Sequence, residues 1–510
     1  MSLARDITTV GGGTLISRLL AYLRDAWIAA LLGTGPFSEV FFVVLQVVNF
    51  FRRLLSEGVL NSAFVPIWLR LRSGEDGAAN ANRFTISALT AVGTITGILV
   101  LLATVGAPFI IAVIAPGFEP ALQQHAVLLL MIVAPYILFA GLVAVAAAAL
   151  SAEGRVAAVA VTTVLFNLVL LFALMLMGRS REPFLISFWL AVAVAVAGLV
   201  QLSVAGIAIA LSGGWRRTRV HAPDHTGVFI RRALPGLIAA GIPQLKLIAA
   251  AAIASASPAA VSWLYYANRL YELPLGVVSI AVAAVILPHI STSVHSGNDT
   301  ALAAAQSRAY EIAAGLALPA AAGFALLADQ IAGGLFERGA FTVQDTTAVA
   351  GALMAICIGL PGHVLEKVLG AVSFAHEDTR TPMLAALVGL ATAIVTGVLL
   401  FPRFGHIGIA GAIGASAWAG AGLLTVILRR RGWLRLDAAA ARRLPRIGLA
   451  TVIMAAVVFF AVHALGPAVH SRLAVLVALI MLGIAIYVVS LQLLGVTKIK
   501  DLAAAIRRRT

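Results

Sequence analysis

Residues 121–150 of the chain read ALQQHAVLLLMIVAPYILFAGLVAVAAAAL. From Ala126 to Ala152 the sequence contains no Asp, Glu, Lys or Arg. A helix that crosses the hydrocarbon core of a bilayer needs about 20 such apolar residues, whereas a transmembrane barrel strand alternates apolar and polar residues over about 10 positions. This stretch therefore predicts a transmembrane helix.

The rest of the chain has the same character. Of its 510 residues, 61% are hydrophobic and only 11% are charged, and a soluble domain carries about 25% charged residues. We therefore predict an all-α integral membrane protein. Hydropathy predicts fourteen spans, near residues 7–32, 36–69, 84–115, 121–151, 155–178, 183–212, 228–256, 259–293, 302–334, 346–374, 382–401, 406–428, 446–466 and 472–495.

The net charge of +15 is explained by membrane orientation, without a nucleic-acid partner. Of the 36 Lys and Arg residues, 24 lie at the termini or after even-numbered spans, and 5 lie in loops after odd-numbered spans. Because cytoplasmic loops carry the excess of basic residues, both termini are predicted to be cytoplasmic. The single cysteine, Cys357, excludes a disulfide within the chain and a Cys-based metal site; we expect no metal and no cofactor.

The two halves of the chain resemble each other at an offset of about 223 residues. Val65-Pro66 and the sequence SGED at 73–76 recur as Leu287-Pro288 and SGND at 296–299. This offset moves six spans, so both halves enter the membrane in the same direction. We predict two six-helix lobes related by an axis along the membrane normal, around a central cavity. The predicted divisions are 1–212 (spans 1–6), 213–227 (a cytoplasmic linker), 228–431 (spans 7–12) and 432–510 (spans 13 and 14 with a basic tail).

Twelve charged residues lie inside or border the spans, and each costs about 2.5–3.5 kcal/mol at mid-membrane. They must therefore face water, pair with each other, or lie near the interfaces. They are Arg18, Arg24, Asp25, Glu39, Arg52, Arg53, Glu57, Lys246, Arg269, Glu272, Glu366 and Lys367.

These charges have a structural and a functional interpretation. Arg53 with Glu57 and Arg269 with Glu272 are spaced to form pairs on one helix face that brace the bundle. However, the set holds seven cations and five anions, and bracing alone does not require excess positive charge. An anionic ligand would neutralise it, since arginine forks match phosphate oxygens in bidentate fashion.

Four motifs are similar to those of the lipid II flippase family (MurJ, also called MviN), within the multidrug/oligosaccharidyl-lipid/polysaccharide exporter superfamily. In span 1 these are Ser17-Arg18 and Arg24-Asp25. The most specific stretch is NFFRRLLSEG at 49–58, followed by AFVP at 63–66. Span 8 holds YYANRL at 265–270 and ELP at 272–274, and the loop after span 10 holds TRTP at 379–382.

The resemblance implies an alternating-access flippase for lipid II, a polyprenyl diphosphate, in the bacterial inner membrane. It implies that Arg18, Arg24, Arg52, Arg53 and Arg269 bind the substrate. Asp25, Glu39, Glu57 and Glu272 would gate the cavity or position the arginines, and spans 13 and 14 would hold the polyprenyl tail. It further implies a monomer that meets membrane lipids and the cell-wall synthesis machinery.

Two departures from the family bear on mechanism. Position 39 is Glu where the family more usually has Asp. Span 11 has Thr392 and Thr396 but no acid, and span 7 has Lys246, so the carboxylates that hold sodium in some members are missing. No ATP-binding P-loop is present in the sequence, so transport would run on an ion gradient, the membrane potential or substrate flux, and coupling to the membrane potential or to protons stays open.

Other functions stay open at this stage. A flippase for another polyprenyl-diphosphate-linked oligosaccharide shares the substrate chemistry. A drug-cation exporter is disfavoured because its cavity should be negative. An enzyme acting on the same lipid is disfavoured because the outward loops are short and their acids scattered, and a transport-inactive scaffold should have lost the arginines.

Overall fold

The computed structural model describes residues 3–56, 59–74, 77–178, 182–211, 225–282, 286–295, 298–465 and 472–496. Within these ranges every regular element is helical, so the prediction of an all-α protein is confirmed. The helices form two compact units. The first comprises residues 1–262 and 338–341, and the second comprises 263–337 and 342–510.

The first unit is built from ten helices, several of which begin at a proline. Proline suits the first helical position because its missing N–H needs no partner there. The helices are α1 (Leu3–Leu32), α2 (Pro36–Ser56), α3 (Val59–Arg72), α4 (Gly77–Val105), α5 (Ala107–Ile114), α6 (Pro120–Val133), α7 (Pro135–Ala152), α8 (Val156–Met177), α9 (Pro183–Leu211) and α10 (His225–Ala254).

The second unit contains nine helices, of which the first starts three residues before the unit boundary. They are α11 (Ala260–Ala281), α12 (Leu287–His295), α13 (Asp299–Leu326), α14 (Ala328–Phe336), α15 (Val343–Cys357), α16 (Leu360–Ala375), α17 (Arg380–Arg430), α18 (Ala438–Leu465) and α19 (Arg472–Leu493).

The boundary between the compact units differs from the predicted lobe boundary. The sequence repeat places span 7 in the second lobe, whereas α10, which covers that span, packs against α2 and α3 of the first unit. The two boundaries differ because they are defined differently. The sequence repeat groups the spans by their order along the chain, whereas the compact units group the helices by their contacts. The division at residues 213–227 stays a prediction.

Nine helical segments of the described part of the chain are long and apolar enough to cross a membrane, and a bent pair within 225–254 makes a tenth. One of the nine, α17, covers two predicted spans. The predicted spans that fall outside this set are 1, 2 and 8, which carry most of the intramembrane charges. A multi-pass helical membrane protein is confirmed, and the count of fourteen spans stays a prediction.

A backbone break divides α17 between the predicted spans 11 and 12. Gly405 adopts φ +55° and ψ −138° there, three residues after Pro402. L-residues with a Cβ rarely adopt such a positive φ, and glycine does so without steric cost. The break lies between the positions where sequence hydropathy ends span 11 (residue 401) and begins span 12 (residue 406).

A short segment from the second half of the chain, Arg338–Phe341, packs within the first unit. The Ala340 N–H donates to the carbonyl oxygen of Ala30 in α1 at 2.9 Å. Gly33 and Gly339 both have positive φ at this contact, and a Cβ on Gly339 would lie 2.2 Å from the Ala30 oxygen. The two glycines therefore permit a backbone approach that any side chain would prevent.

Candidate functional site

Two neighbouring residues of α1 form a fully buried ion pair. Arg24 Nη2 lies 2.6 Å from Asp25 Oδ1, and Arg24 Nε donates to the same oxygen at 2.9 Å. The side chains are 5% and 0% exposed. Because a buried guanidinium without a counter-charge is very costly, the carboxylate of Asp25 is what allows a cation at this position.

An asparagine of α8 completes the coordination of Arg24, and the sequence analysis missed it. Asn167 Oδ1 accepts from Arg24 Nη1 at 3.0 Å, and its amide nitrogen donates to Ser17 at 3.1 Å (carbonyl) and 3.2 Å (hydroxyl). Asn167 thus bridges α8 to α1 and fixes the plane of the guanidinium. The available signal was a lone Asn within the apolar run 156–177, since polar residues inside a membrane are usually functional.

A second predicted arginine meets the first at an aromatic ring. The guanidinium carbons of Arg24 and Arg52 lie 5.8 Å and 5.2 Å from the centroid of Phe166, which is 1% exposed. The two guanidiniums are therefore no further apart than the sum of those distances. Arg52 also donates to Asn49 Oδ1 at 3.0 Å. The ring faces stabilise cations, so α1, α2 and α8 together bring two predicted substrate ligands into one cluster.

Arg52 also lines a cavity of about 300 Å³ within the first unit. Seven of its fourteen lining residues are Ala, Val or Leu, and the other seven are polar, among them Tyr136, Thr162 and Gln201. Gln201 donates to the Thr162 carbonyl at 2.7 Å and accepts from the Tyr136 hydroxyl at 3.4 Å. The polar wall is thus held in place by its own hydrogen bonds, with the guanidinium of Arg52 at the same cavity.

The second unit holds the predicted Arg269–Glu272 pair. Arg269 Nη1 lies 3.3 Å from Glu272 Oε2, so the i, i+3 pairing on one helix face is confirmed. Asn268 donates to the other oxygen of Glu272 at 3.5 Å. Both charged side chains are half-buried on α11. The hydroxyl of the buried Tyr271, which lies between these two residues in sequence, is hydrogen-bonded to His363 of α16.

The remaining predicted residues lie on α1 and α2 or outside the described ranges. Arg18 and Arg53 are half-buried on α1 and α2. Glu39 is 4% exposed and accepts the Val261 N–H at 3.0 Å, so it caps the start of α11. Glu57 lies outside the described residues. The roles given to all nine residues stay predictions.

The loop that carries the TRTP motif is organised by the residue before it. Asp378 accepts the backbone N–H groups of Arg380 and Thr381 at 3.0 Å and 3.1 Å, and is bonded to the Thr381 hydroxyl and the Arg431 guanidinium. Burial alone would raise the pKa of Asp378, but these four bonds outweigh it and lower the pKa to about 2. Asp378 therefore stays ionised as the cap of α17.

Within the described part of the chain, the helical spans and buried cation clusters define a polytopic membrane transporter. The same fold is found in a solved lipid II flippase MurJ in an inward closed conformation (TM-score 0.79, 22% identity, 97% of this chain and 99% of that chain). An inward-facing multidrug resistance MATE family transporter of the MOP superfamily has it as well (TM-score 0.66, 17% identity, 84% and 98%).

The sequence relationship identifies the family. The family profile described as lipid II flippase MurJ matches residues 28–493. A probable lipid II flippase MurJ of Rhizobium meliloti (strain 1021) is 38% identical over 469 residues, which cover 91% of this chain and 87% of the relative. The chain belongs to the lipid II flippase MurJ family.

Proposed function

We propose that this chain moves lipid II, the undecaprenyl-diphosphate-linked precursor of peptidoglycan, from the cytoplasmic to the outer leaflet of the bacterial inner membrane by alternating access. Membership of the family supports the substrate. The observation that carries the mechanism is the cluster in which the guanidiniums of Arg24 and Arg52 lie 5.8 Å and 5.2 Å from the centroid of the Phe166 ring. A cluster of this kind suits a ligand that brings its own negative charge.

The chemistry of the cluster fits a diphosphate. A diphosphate offers several oxygens with delocalised negative charge, and guanidinium groups bind such oxygens through paired N–H donors. In a low-dielectric interior each charge-assisted bond is strong. Asp25 and Asn167 hold the Arg24 guanidinium in one orientation before any ligand arrives, which reduces the entropy lost on binding.

The other predicted residues would bind parts of the substrate or control the arginines. Arg18, Arg53 and Arg269 would bind the phosphates or sugars. Glu57 and Glu272 would position arginines or weaken their hold when the cavity changes shape. Glu39 would help to gate by capping α11, because its buried carboxylate accepts backbone N–H groups at the start of that helix and would lose them if the helix moved.

A complementation assay tests the proposal. Bacteria depleted of their own lipid II flippase would express this chain, and outward-facing lipid II would be labelled from outside the cell. We expect rescue by the wild type and loss of rescue, with normal membrane insertion, in Arg52→Ala, Arg53→Ala and Arg269→Ala. The matched control is Arg83→Ala, which removes an exposed arginine of α4 and should rescue fully.

The outcomes distinguish an error in the proposed binding site from an error in the proposed substrate. Full rescue by all three arginine variants would refute the cationic site while leaving the substrate in place. No rescue by a wild-type chain present in the membrane would point to a flippase for another polyprenyl-diphosphate-linked oligosaccharide.

The proposed architecture is a monomer of fourteen spans in two six-helix lobes, with predicted spans 13 and 14 (446–466 and 472–495) appended and both termini in the cytoplasm. Replacing the only cysteine, Cys357→Ser, gives a background for single-cysteine labelling. A membrane-impermeant maleimide added to intact cells should label Arg181→Cys, in the loop after span 5, and should not label Thr510→Cys. The reverse pattern would refute the orientation.

A further inference from the structure

An apolar pocket of about 350 Å³ lies within the second unit, away from the arginine clusters. It is formed by α13, α16, α17, α18 and the segment 431–437 that joins the last two of these helices. Leu318, Leu365 and Leu444 are among its lining side chains. A pocket lined in this way fits a hydrocarbon chain.

One buried hydroxyl group in the pocket wall has no hydrogen-bond partner among the described residues. It belongs to Tyr310 of α13, which is 8% exposed. Other buried tyrosine hydroxyls are bonded: Tyr136 donates to Gln201, and Tyr487 donates to the Gly315 carbonyl at 2.9 Å. A buried polar group without a partner costs about 1–3 kcal/mol, so Tyr310 indicates a ligand that supplies an acceptor.

Two arginines, Arg435 and Arg443, are sequence neighbours of residues that line this pocket. Glu311, the residue after Tyr310, pairs with Arg443 at 3.4 Å, and Arg435, between two pocket-lining leucines, pairs with Asp299 at 3.2 Å. Both arginine side chains are 46% exposed. Exposed pairs of this kind are worth about 0–1 kcal/mol, so a phosphate can replace the carboxylates as their partner. Segment 429–446 holds seven arginines and one acid.

We propose that this pocket binds an anionic diacyl phospholipid. One acyl chain occupies the apolar pocket, the ester carbonyl at the head of that chain accepts a hydrogen bond from Tyr310, and the phosphate lies against Arg443 and Arg435. The lipid thereby ties α18 to α13 and α16. The proposal does not rest on lipid II transport, because it uses neither the arginine clusters nor the substrate.

The ester carbonyl distinguishes this occupant from a polyprenyl tail. A polyprenyl chain is a hydrocarbon without an acceptor along its length, so it would fill the pocket and leave Tyr310 unsatisfied. An acyl ester places an acceptor at the junction of hydrocarbon and headgroup, as the geometry requires: Tyr310 lies in the apolar wall and Glu311 meets Arg443 one residue away.

The test compares two forms of one lipid on the purified full chain. Phosphatidylglycerol with ester-linked chains and its diether analogue, which lacks the carbonyls, would be titrated in detergent while bound lipid is counted by native mass spectrometry. A hydrogen bond is worth about 1 kcal/mol net, so the wild type should prefer the ester form about fivefold. Tyr310→Phe should bind both forms equally, and the control Tyr487→Phe should keep the preference.

Further variants address the pocket and the headgroup. Ala314→Phe should fill the pocket and abolish the bound lipid. Arg443→Gln should weaken phosphatidylglycerol several-fold and phosphatidylethanolamine less, because the ammonium of phosphatidylethanolamine offsets the charge of its phosphate. The control for the headgroup is Arg430→Gln, an exposed arginine of the same segment. Unchanged binding in Ala314→Phe, or equal affinity of the wild type for ester and ether forms, would overturn the proposal. So would displacement of the lipid by polyprenyl phosphate.

Discussion

The buried pair of Arg24 and Asp25 makes a quantitative prediction about stability. Replacing Asp25 by Ala leaves a guanidinium that is 5% exposed with its single bond to Asn167. Removing one partner of a buried ion pair costs about 3–5 kcal/mol, so Asp25→Ala should lower the free energy of unfolding by that amount. Arg24→Ala should have a similar effect, because it removes the arginine counter-charge from a carboxylate that is 0% exposed.

The double variant provides the decisive comparison. With both charges removed no uncompensated ion stays buried, so Arg24→Ala/Asp25→Ala should lose clearly less than the sum of the two single losses. We expect a coupling energy of about 2 kcal/mol or more, measured by denaturant unfolding in detergent micelles. The surface pair of Arg155 and Glu153 in the same unit, at 3.9 Å and partly exposed, is the control and should show about 0–1 kcal/mol.

Additive losses in the Arg24 and Asp25 variants would refute the reasoning. Distant, independent sites add within about 0.3–0.5 kcal/mol. A coupling energy in that range would mean that the two charges do not depend on each other for their burial.

Three further predictions concern individual residues. Asn167→Ala should lower the free energy of unfolding by about 1–3 kcal/mol, since it removes one hydrogen bond from Arg24 and two to Ser17 within a buried site; a loss below about 0.5 kcal/mol would contradict this role. The carboxylate of Asp378, whose pKa is lowered to about 2, should stabilise the fold above about pH 4 and lose that effect as the pH falls towards 2. At about 1.4 kcal/mol per pKa unit the effect is at most about 2 kcal/mol, and a pH-independent difference between wild type and Asp378→Asn would exclude it. Gly405→Val should cost about 1–3 kcal/mol because its φ is +55°, whereas Gly411→Val, next to open space in the same helix, should cost less.

The sequence predicted most strongly what depends on local composition. Apolar runs such as 183–212 and 472–495 correspond to α9 and α19, because a membrane requires about 20 apolar residues regardless of what the helix packs against. The Arg269–Glu272 pair could also be predicted from the sequence, since residues three apart share a helix face. Predicted spans 1, 2 and 8 do not meet a criterion based on hydropathy alone, because their charged residues lower the mean hydropathy.

What the sequence did not predict depends on packing between distant segments. The bond from Arg24 to Asn167 joins residues 143 positions apart, and nothing local to either one specifies the other. The contact of Glu39 with the Val261 N–H similarly joins α2 to the start of α11. The lack of a hydrogen-bond partner for the Tyr310 hydroxyl among the described residues can be recognised only from the packing of the helices around it.

The most direct test of the central claim is lipid II translocation by the purified chain. Proteoliposomes would contain labelled lipid II, and an enzyme that cannot cross the bilayer would report how much of it becomes accessible over time. We predict translocation with the wild type under a membrane potential, near-complete loss with Arg52→Ala, and full activity with Arg83→Ala. A wild-type rate equal to that of protein-free vesicles, or a wild-type rate kept by Arg52→Ala, would contradict the account.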